Sequence, residues 1–230
     1  MYKPRIIIFA SGSKDPEKGG SGFENLVSAQ RAGILDANIV AVVSNHQNGS
    51  VRKRADRLGI PFEFFVKDYN PEQNHSLDQY RKFVSEYRAG WVVLSGWLKL
   101  VTNLNPTRTL NIHPGPLPQF GGDGMYGHHV HEKVMGAYNR GEPNPVDGQR
   151  ITHSAVTMHF VTPIYDDGPV FFRFPVEIRP DDTADTLAKR VNAVEHEWQP
   201  KITNMVINGE ISWDGVKGHP VVVPEAYQYL

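Results

Sequence analysis

Cysteine is absent from all 230 residues, which excludes disulfides, a thiolate nucleophile and cysteine metal sites, and suits a reducing, cytoplasmic setting. Net charge is almost absent too: 24 Lys and Arg against 25 Asp and Glu leave −1, so no global positive field is available to hold DNA or RNA. Long apolar runs are missing as well. The N-terminal Ile6-Ile-Ile-Phe is far too short for a signal peptide or a membrane span and reads as a buried first strand. Gly-Lys-Ser/Thr occurs nowhere, which excludes a Walker-type nucleotide loop. The second strand-like run ends in Ser44-Asn45-His46, without the acidic ribose anchor of a dinucleotide fold.

What is present is a repeating alternation. Strand-like runs at Ile6 to Ala10, Ile39 to Ser44, Phe62 to Phe65 and Trp91 to Leu94 are separated by helix-like stretches at Phe23 to Ala32, Val51 to Leu58 and Leu77 to Tyr87. Continuous Val/Ile/Leu runs between helices suit strands covered on both faces, so the pattern predicts an α/β fold with a Rossmann-like, doubly wound, mostly parallel sheet. No repeat or linker divides the chain, and a single domain over 1–230 is expected. The stretch from Pro114 to Thr152 is rich in Gly, Pro, His and Asn and reads as a long functional loop with a short helix near His128 to Tyr138. Strands at Ala155 to Val161 and Val170 to Pro175 follow. A helix from Thr183 to Ile207 then starts behind Asp181 and Asp182, whose carboxylates, with the Thr183 hydroxyl, suit capping.

In such sheets chemistry gathers beyond the carboxyl ends of the strands. Ser11-Gly-Ser-Lys and Gly19-Gly-Ser-Gly lie between the first strand and first helix, where backbone N–H groups can hold a phosphate. The same composition also suits a plain surface loop. Asn111-Ile-His-Pro is the most informative segment. If Thr109 to Ile112 is a strand, alternation puts Asn111 and His113 on one side, where an amide and an imidazole can converge on the oxygen that gains charge in acyl transfer. A histidine that merely satisfies the backbone beside a proline turn is the alternative. Tyr165-Asp-Asp-Gly-Pro offers a carboxylate that, placed near His113, would favour its imidazolium form, and it is equally an ordinary turn. His128, His129 and His131 raise zinc, but adjacent histidines do not readily share one ion and no cysteine completes a set, so no metal is expected. Taken alone, Glu195-His196 sits on the solvated face of an amphipathic helix.

Together the Gly/Ser loop, Val43-Ser-Asn, Leu94-Ser-Gly-Trp-Leu-Lys-Leu, Asn111-Ile-His-Pro, Thr157-Met-His-Phe-Val, Asp166-Asp-Gly-Pro-Val and Arg190-Val through Glu195-His196 cover nearly the whole chain. In these segments the sequence resembles the phosphoribosylglycinamide formyltransferase family, within the 10-formyltetrahydrofolate-dependent formyltransferases. The resemblance implies Asn111, His113 and Asp166 as a catalytic trio, with Asp166 rather than Asp167 because the motif is Asp, one variable residue, then Gly-Pro-Val. It implies a folate pocket formed by Leu98, Lys99, Leu100, Val101, Ile164 and Tyr165. It also implies an acceptor site in which Gly20, Ser21 and Gly22 hold the phosphate, Gly96 and Pro114 line the wall, and Glu195 contacts ribose hydroxyls. The implied co-substrate is 10-formyltetrahydrofolate, the implied acceptor is glycinamide ribonucleotide in purine biosynthesis, and the expected state is a monomer or homodimer without nucleic acid or membrane partners.

Two departures from the family pattern stand out. The 11–22 loop is longer than the usual Gly-x-Gly-Ser-Asn form and has Gly22 where Asn is expected, and the Asn139 to His153 segment is extended. Other readings remain: an amino-sugar-nucleotide formyltransferase, or a folate or purine-precursor binding module without turnover. A methionyl-tRNA formyltransferase is expected to add a basic C-terminal domain, and a formyltetrahydrofolate hydrolase an N-terminal regulatory one.

Overall fold

The computed structural model describes residues 3–66, 78–144 and 148–230. Its elements follow the order β1 (Arg5–Phe9), α1 (Ser21–Arg31), β2 (Asn38–Ser44), α2 (Ser50–Leu58), β3 (Phe62–Phe64), α3 (Gln79–Glu86), β4 (Trp91–Ser95), β5 (Thr109–His113), α4 (His128–Arg140), β6 (His153–Phe160), β7 (Val170–Glu177) and α5 (Ala184–Ile207). The predicted start of the third helix at Leu77 lies outside the described residues.

The strands form one seven-stranded sheet in the order β3-β2-β1-β4-β5-β6-β7. Neighbours from β3 to β5 run parallel, while β6 lies antiparallel to both β5 and β7. Side-chain alternation divides the apolar residues between the faces. On β1, Ile6 and Ile8 face the core under α1, α4 and α5, and Ile7 and Phe9 face a second core with Tyr80, Phe83 and Trp97. Both faces are therefore covered, which is why the central strands read as continuous apolar runs.

Strand order reverses at β1, which pairs with β2 on one side and β4 on the other. The two loops leaving β1 and β4 are tied together there: Ser11 N–H donates to the Gly96 carbonyl at 3.1 Å, and Leu98 N–H donates to Ser11 Oγ at 3.0 Å. A crevice opens at this switch point, as doubly wound sheets require.

α4 starts where the sequence placed the helix, at His128, and runs two residues past Tyr138 to Arg140. Val130, His131, Val134, Met135 and Ala137 are buried along one stripe, and Gly141 in the left-handed region closes the helix end. The extended segment then doubles back, with Pro143 and Arg150 forming an antiparallel bridge. α5 starts at a reciprocal cap, Thr183 Oγ1 accepting from Thr186 N–H at 3.2 Å and Thr186 Oγ1 from Thr183 N–H at 2.9 Å. Asp182, expected to help cap, instead accepts from Arg179 N–H at 2.8 Å and pairs with Arg190.

Candidate active site

β5 carries Asn111 and His113 on one face, two residues apart, at the carboxyl end of the sheet. The antiparallel partner β6 places His159 directly opposite Asn111. Asn111 Nδ2 lies 3.0 Å from His159 Nε2, and His159 Nδ1 lies 2.8 Å from the Phe160 carbonyl. The carbonyl only accepts, so Nδ1 carries a hydrogen, and Nε2 faces both the Asn111 amide and, at 3.4 Å, the Asp166 carboxylate. The Asn111 side chain also lines the cavity, within reach of a ligand.

Asp166 comes from the β6–β7 connection. It sits at φ 52°, a left-handed conformation that Asp tolerates better than most residues. The turn is closed by Gly168, where an added Cβ would fall inside the Phe160 carbonyl oxygen, so only glycine lets the connection lie against β6. The Asp166 carboxylate accepts from Gly122 N–H at 3.0 Å and stands 3.6 Å from His113 Nδ1 and 3.4 Å from His159 Nε2. Burial by itself would raise its pKa, but His159, His113 and the Gly122 N–H outweigh burial and hold the carboxyl below its ordinary value. Asp167 points elsewhere and pairs with Lys217 at 3.0 Å.

His113 differs from the sequence expectation in two respects. Burial pulls its pKa down, and the opposing influences of Asp166 and the Phe120 carbonyl do not restore it, so the resting imidazole is neutral at neutral pH rather than held as imidazolium. Its Nε2 is also engaged, 2.7 Å from the Phe120 carbonyl. Asn111 and His113 therefore do not point at one free oxygen position. The turn at 118–122 supplies the oxygen that His113 meets.

These residues open onto a cavity of about 440 Å³. Its walls include Asn111, His113, Pro114 and Asp166, the Gly20-Ser21-Gly22 turn, Gly96, and Glu195 with His196 from α5. The catalytic and acceptor residues implied by resemblance thus share one space. Of the six implied folate residues only Leu98 and Tyr165 line it. Val101 is buried in the second core beside Trp97, while Leu100 and Ile164 are exposed. Lys99 is not on the cavity wall either.

α1 begins at Ser21 behind Gly20, whose φ of 75° and lack of a side chain leave the first-turn amides uncapped by that residue. Gly22 has a steric reason: a Cβ there would overlap Ser95 Oγ, which lies 3.1 Å from Gln199 Oε1. Gln199 Nε2 in turn donates to the Leu94 carbonyl at 3.2 Å. The space for the expected asparagine side chain is taken by this pair. Glu195 is hydrogen-bonded by Asn192 at 3.2 Å, and burial pushes its carboxyl up to about 7. His131 also lines the cavity, with Nδ1 buried and unpartnered, and burial together with His128 and His113 brings it down to about 4. His128 faces Glu132 and Asp185, and among the described residues no group of three or more His, Asp or Glu is placed to hold a metal ion.

The family model described as formyl transferase matches residues 4–203. The chain belongs to this family. Among relatives in this formyl transferase family, the chloroplastic phosphoribosylglycinamide formyltransferase of Arabidopsis thaliana is 31% identical over 221 residues, which cover 93% of this chain and 70% of that one. Among solved structures, phosphoribosylglycinamide formyltransferase from Bacillus halodurans aligns with a TM-score of 0.72 and 27% identity, covering 89% of this chain and 96% of that one. The enzyme of the same name from Brucella melitensis gives 0.70 and 28%, with coverage of 90% and 97%. A formyltetrahydrofolate deformylase from Pseudomonas syringae shares the fold at a TM-score of 0.72 and 20% identity.

His159 is the site residue that sequence reasoning missed. It stands in the quoted Thr157-Met-His-Phe-Val segment, but only the β5–β6 register shows that it faces Asn111.

Proposed function

We propose that this formyl transferase family member transfers the formyl group of 10-formyltetrahydrofolate to the amine of glycinamide ribonucleotide, a step of purine biosynthesis. The observation that carries the reading is the linked set Asn111, His159, Asp166 and His113, opening on the same cavity as the free first turn of α1. The set suits acyl transfer at one end, and the turn suits a phosphate at the other. Curated relatives named for this reaction support the choice of acceptor.

In this reading the neutral amine attacks the formyl carbon and negative charge gathers on the formyl oxygen. An N–H of the Asn111 amide meets that oxygen. The Phe120 carbonyl occupies, at rest, the place on His113 Nε2 that the formyl oxygen takes during reaction. His113 starts neutral with its hydrogen on Nε2, so the proton released by the attacking nitrogen enters at Nδ1, by way of the Asp166 carboxylate 3.6 Å away. The resulting imidazolium is stabilised by Asp166. The same proton then goes to the leaving folate nitrogen, and the charges on both partners return to their starting values. Leu98 and Tyr165 are the implied folate residues that line the cavity, and they hold the donor there.

The reading includes a cytoplasmic location, which the cysteine-free composition suits. No described helix is long and apolar enough to cross a membrane. Steady-state formyl transfer to glycinamide ribonucleotide, compared with a panel of amino-sugar nucleotides, tests the acceptor. Higher kcat/KM for glycinamide ribonucleotide is expected. Preference for a sugar nucleotide would replace the acceptor, and no transfer to any amine would sink the enzyme reading.

A further inference from the structure

His196 lies on the cavity wall where α5 passes the start of α1, and the transfer chemistry above leaves it unused. Two constraints fix its position. Pro200 lies four residues further along α5 and has no N–H, so the His196 carbonyl lacks its helical partner. Asn25 of α1 provides a replacement, its Nδ2 donating to that carbonyl at 2.7 Å. The same docking sets the imidazole Nε2 at 3.2 Å from Ser21 Oγ, on the first residue of α1.

Among the described residues, none lining the cavity is a lysine or arginine. Gly22 brings no side-chain donor to the first turn of α1, and the nearby Arg54 is committed to Glu24 and to the Gly19 carbonyl. Of the groups bonded to this turn from inside the cavity, His196 is the one able to become a cation. We propose that His196 is a proton-coupled anchor for the acceptor's phosphate: it takes up a proton as a dianionic phosphate monoester seats on the first turn of α1. It also orients the Ser21 hydroxyl toward that phosphate. The inference rests on the acceptor reading above.

The chemistry follows from one hydrogen bond. When neutral Nε2 accepts, the Ser21 hydrogen is spent on the imidazole and the hydroxyl offers only lone pairs to an anion. When Nε2 carries a hydrogen it donates to Oγ, and the Ser21 hydrogen is released to a phosphate oxygen. Burial holds the free imidazole below its ordinary pKa, so the charge appears on binding. The surrounding charged and titratable groups are otherwise occupied or distant in role. On α1, Glu24 is held by Arg54 and Arg57. On α5, Glu195 is bonded by Asn192 and Glu197 pairs with Lys201. From α4, His128 and His131 share the cavity.

Calorimetric titration with ribose 5-phosphate near pH 7.5, in buffers of different ionisation enthalpy, counts the protons taken up. The phosphate is then already dianionic, because its second pKa is about 6. Wild-type protein is expected to take up a substantial fraction of a proton. His196→Gln keeps an N–H donor for Ser21 but does not titrate, so it should lose that uptake and bind about tenfold more weakly below pH 7, one decade corresponding to one pKa unit. His196→Asn is the second variant, with thermal melting as the folding control, and the pH dependence of the wild-type Kd gives a readout free of any substitution. Unchanged proton uptake in folded His196→Gln would overturn the anchor and leave the phosphate site standing. Failure of wild-type protein to bind ribose 5-phosphate would overturn both.

Discussion

Asp166→Asn removes one charge from the site with little other change, and its consequence can be worked from the distances. The carboxylate lies 3.6 Å from His113 Nδ1. At an effective dielectric near 20, a full imidazolium at that distance is attracted by about 4–5 kcal/mol, and desolvation of the two groups offsets part of it. At about 1.4 kcal/mol per decade, kcat should fall by two to three decades. The fold should survive. Asn tolerates the positive φ of 52°, its Oδ1 can still accept from Gly122 N–H, and its Nδ2 can donate to His159. KM for both substrates should stay within a few-fold of wild type, because the carboxylate acts on the charge that develops during reaction. The assay is steady-state formyl transfer with thermal melting alongside. A folded variant within tenfold of wild-type kcat would refute the role given to Asp166 and, with it, the proton path through His113.

Other substitutions separate binding from stability. Glu195 has a folded pKa of about 7 against about 4.3 unfolded, so its favourable contribution below about pH 4 is lost as pH rises through about 7. Glu195→Gln should therefore raise Tm relative to wild type above pH 7 but not at pH 4, while raising KM for the acceptor; a pH-independent Tm difference would contradict the burial argument. Gly22→Asn should weaken acceptor binding and lower Tm, because its side chain meets Ser95, and adding Ser95→Gly should recover part of both losses. Equal behaviour of the single and double variants would show that the overlap does not matter. Thr183→Ala removes the α5 cap and should cost about 1 kcal/mol, or about 2–4 °C in Tm, without changing kcat, as melting and activity assays would show.

The order of strands and helices in the first half was legible from the residues, because apolar runs covered on both faces and amphipathic helices carry different periods. Asn111 and His113 were legible as a pair for a similar local reason, since two positions on a strand share a face. α4 was legible too, within two residues of its end, although it lies in a stretch rich in Gly, Pro and His. Asp166 could be chosen over Asp167 by motif, but its approach to His113 depends on Gly168 letting the β6–β7 connection rest on Phe160.

What the sequence determined by itself was therefore the α/β class and the residues proposed for acyl transfer. Tertiary structure decided how those residues are used. The β5–β6 register brought in His159, burial rather than the nearby carboxylate set the resting charge of His113, and the Ser95–Gln199 pair explained Gly22. Each of these depends on atoms far apart in the chain meeting at low dielectric or at van der Waals contact, a condition that no local pattern encodes.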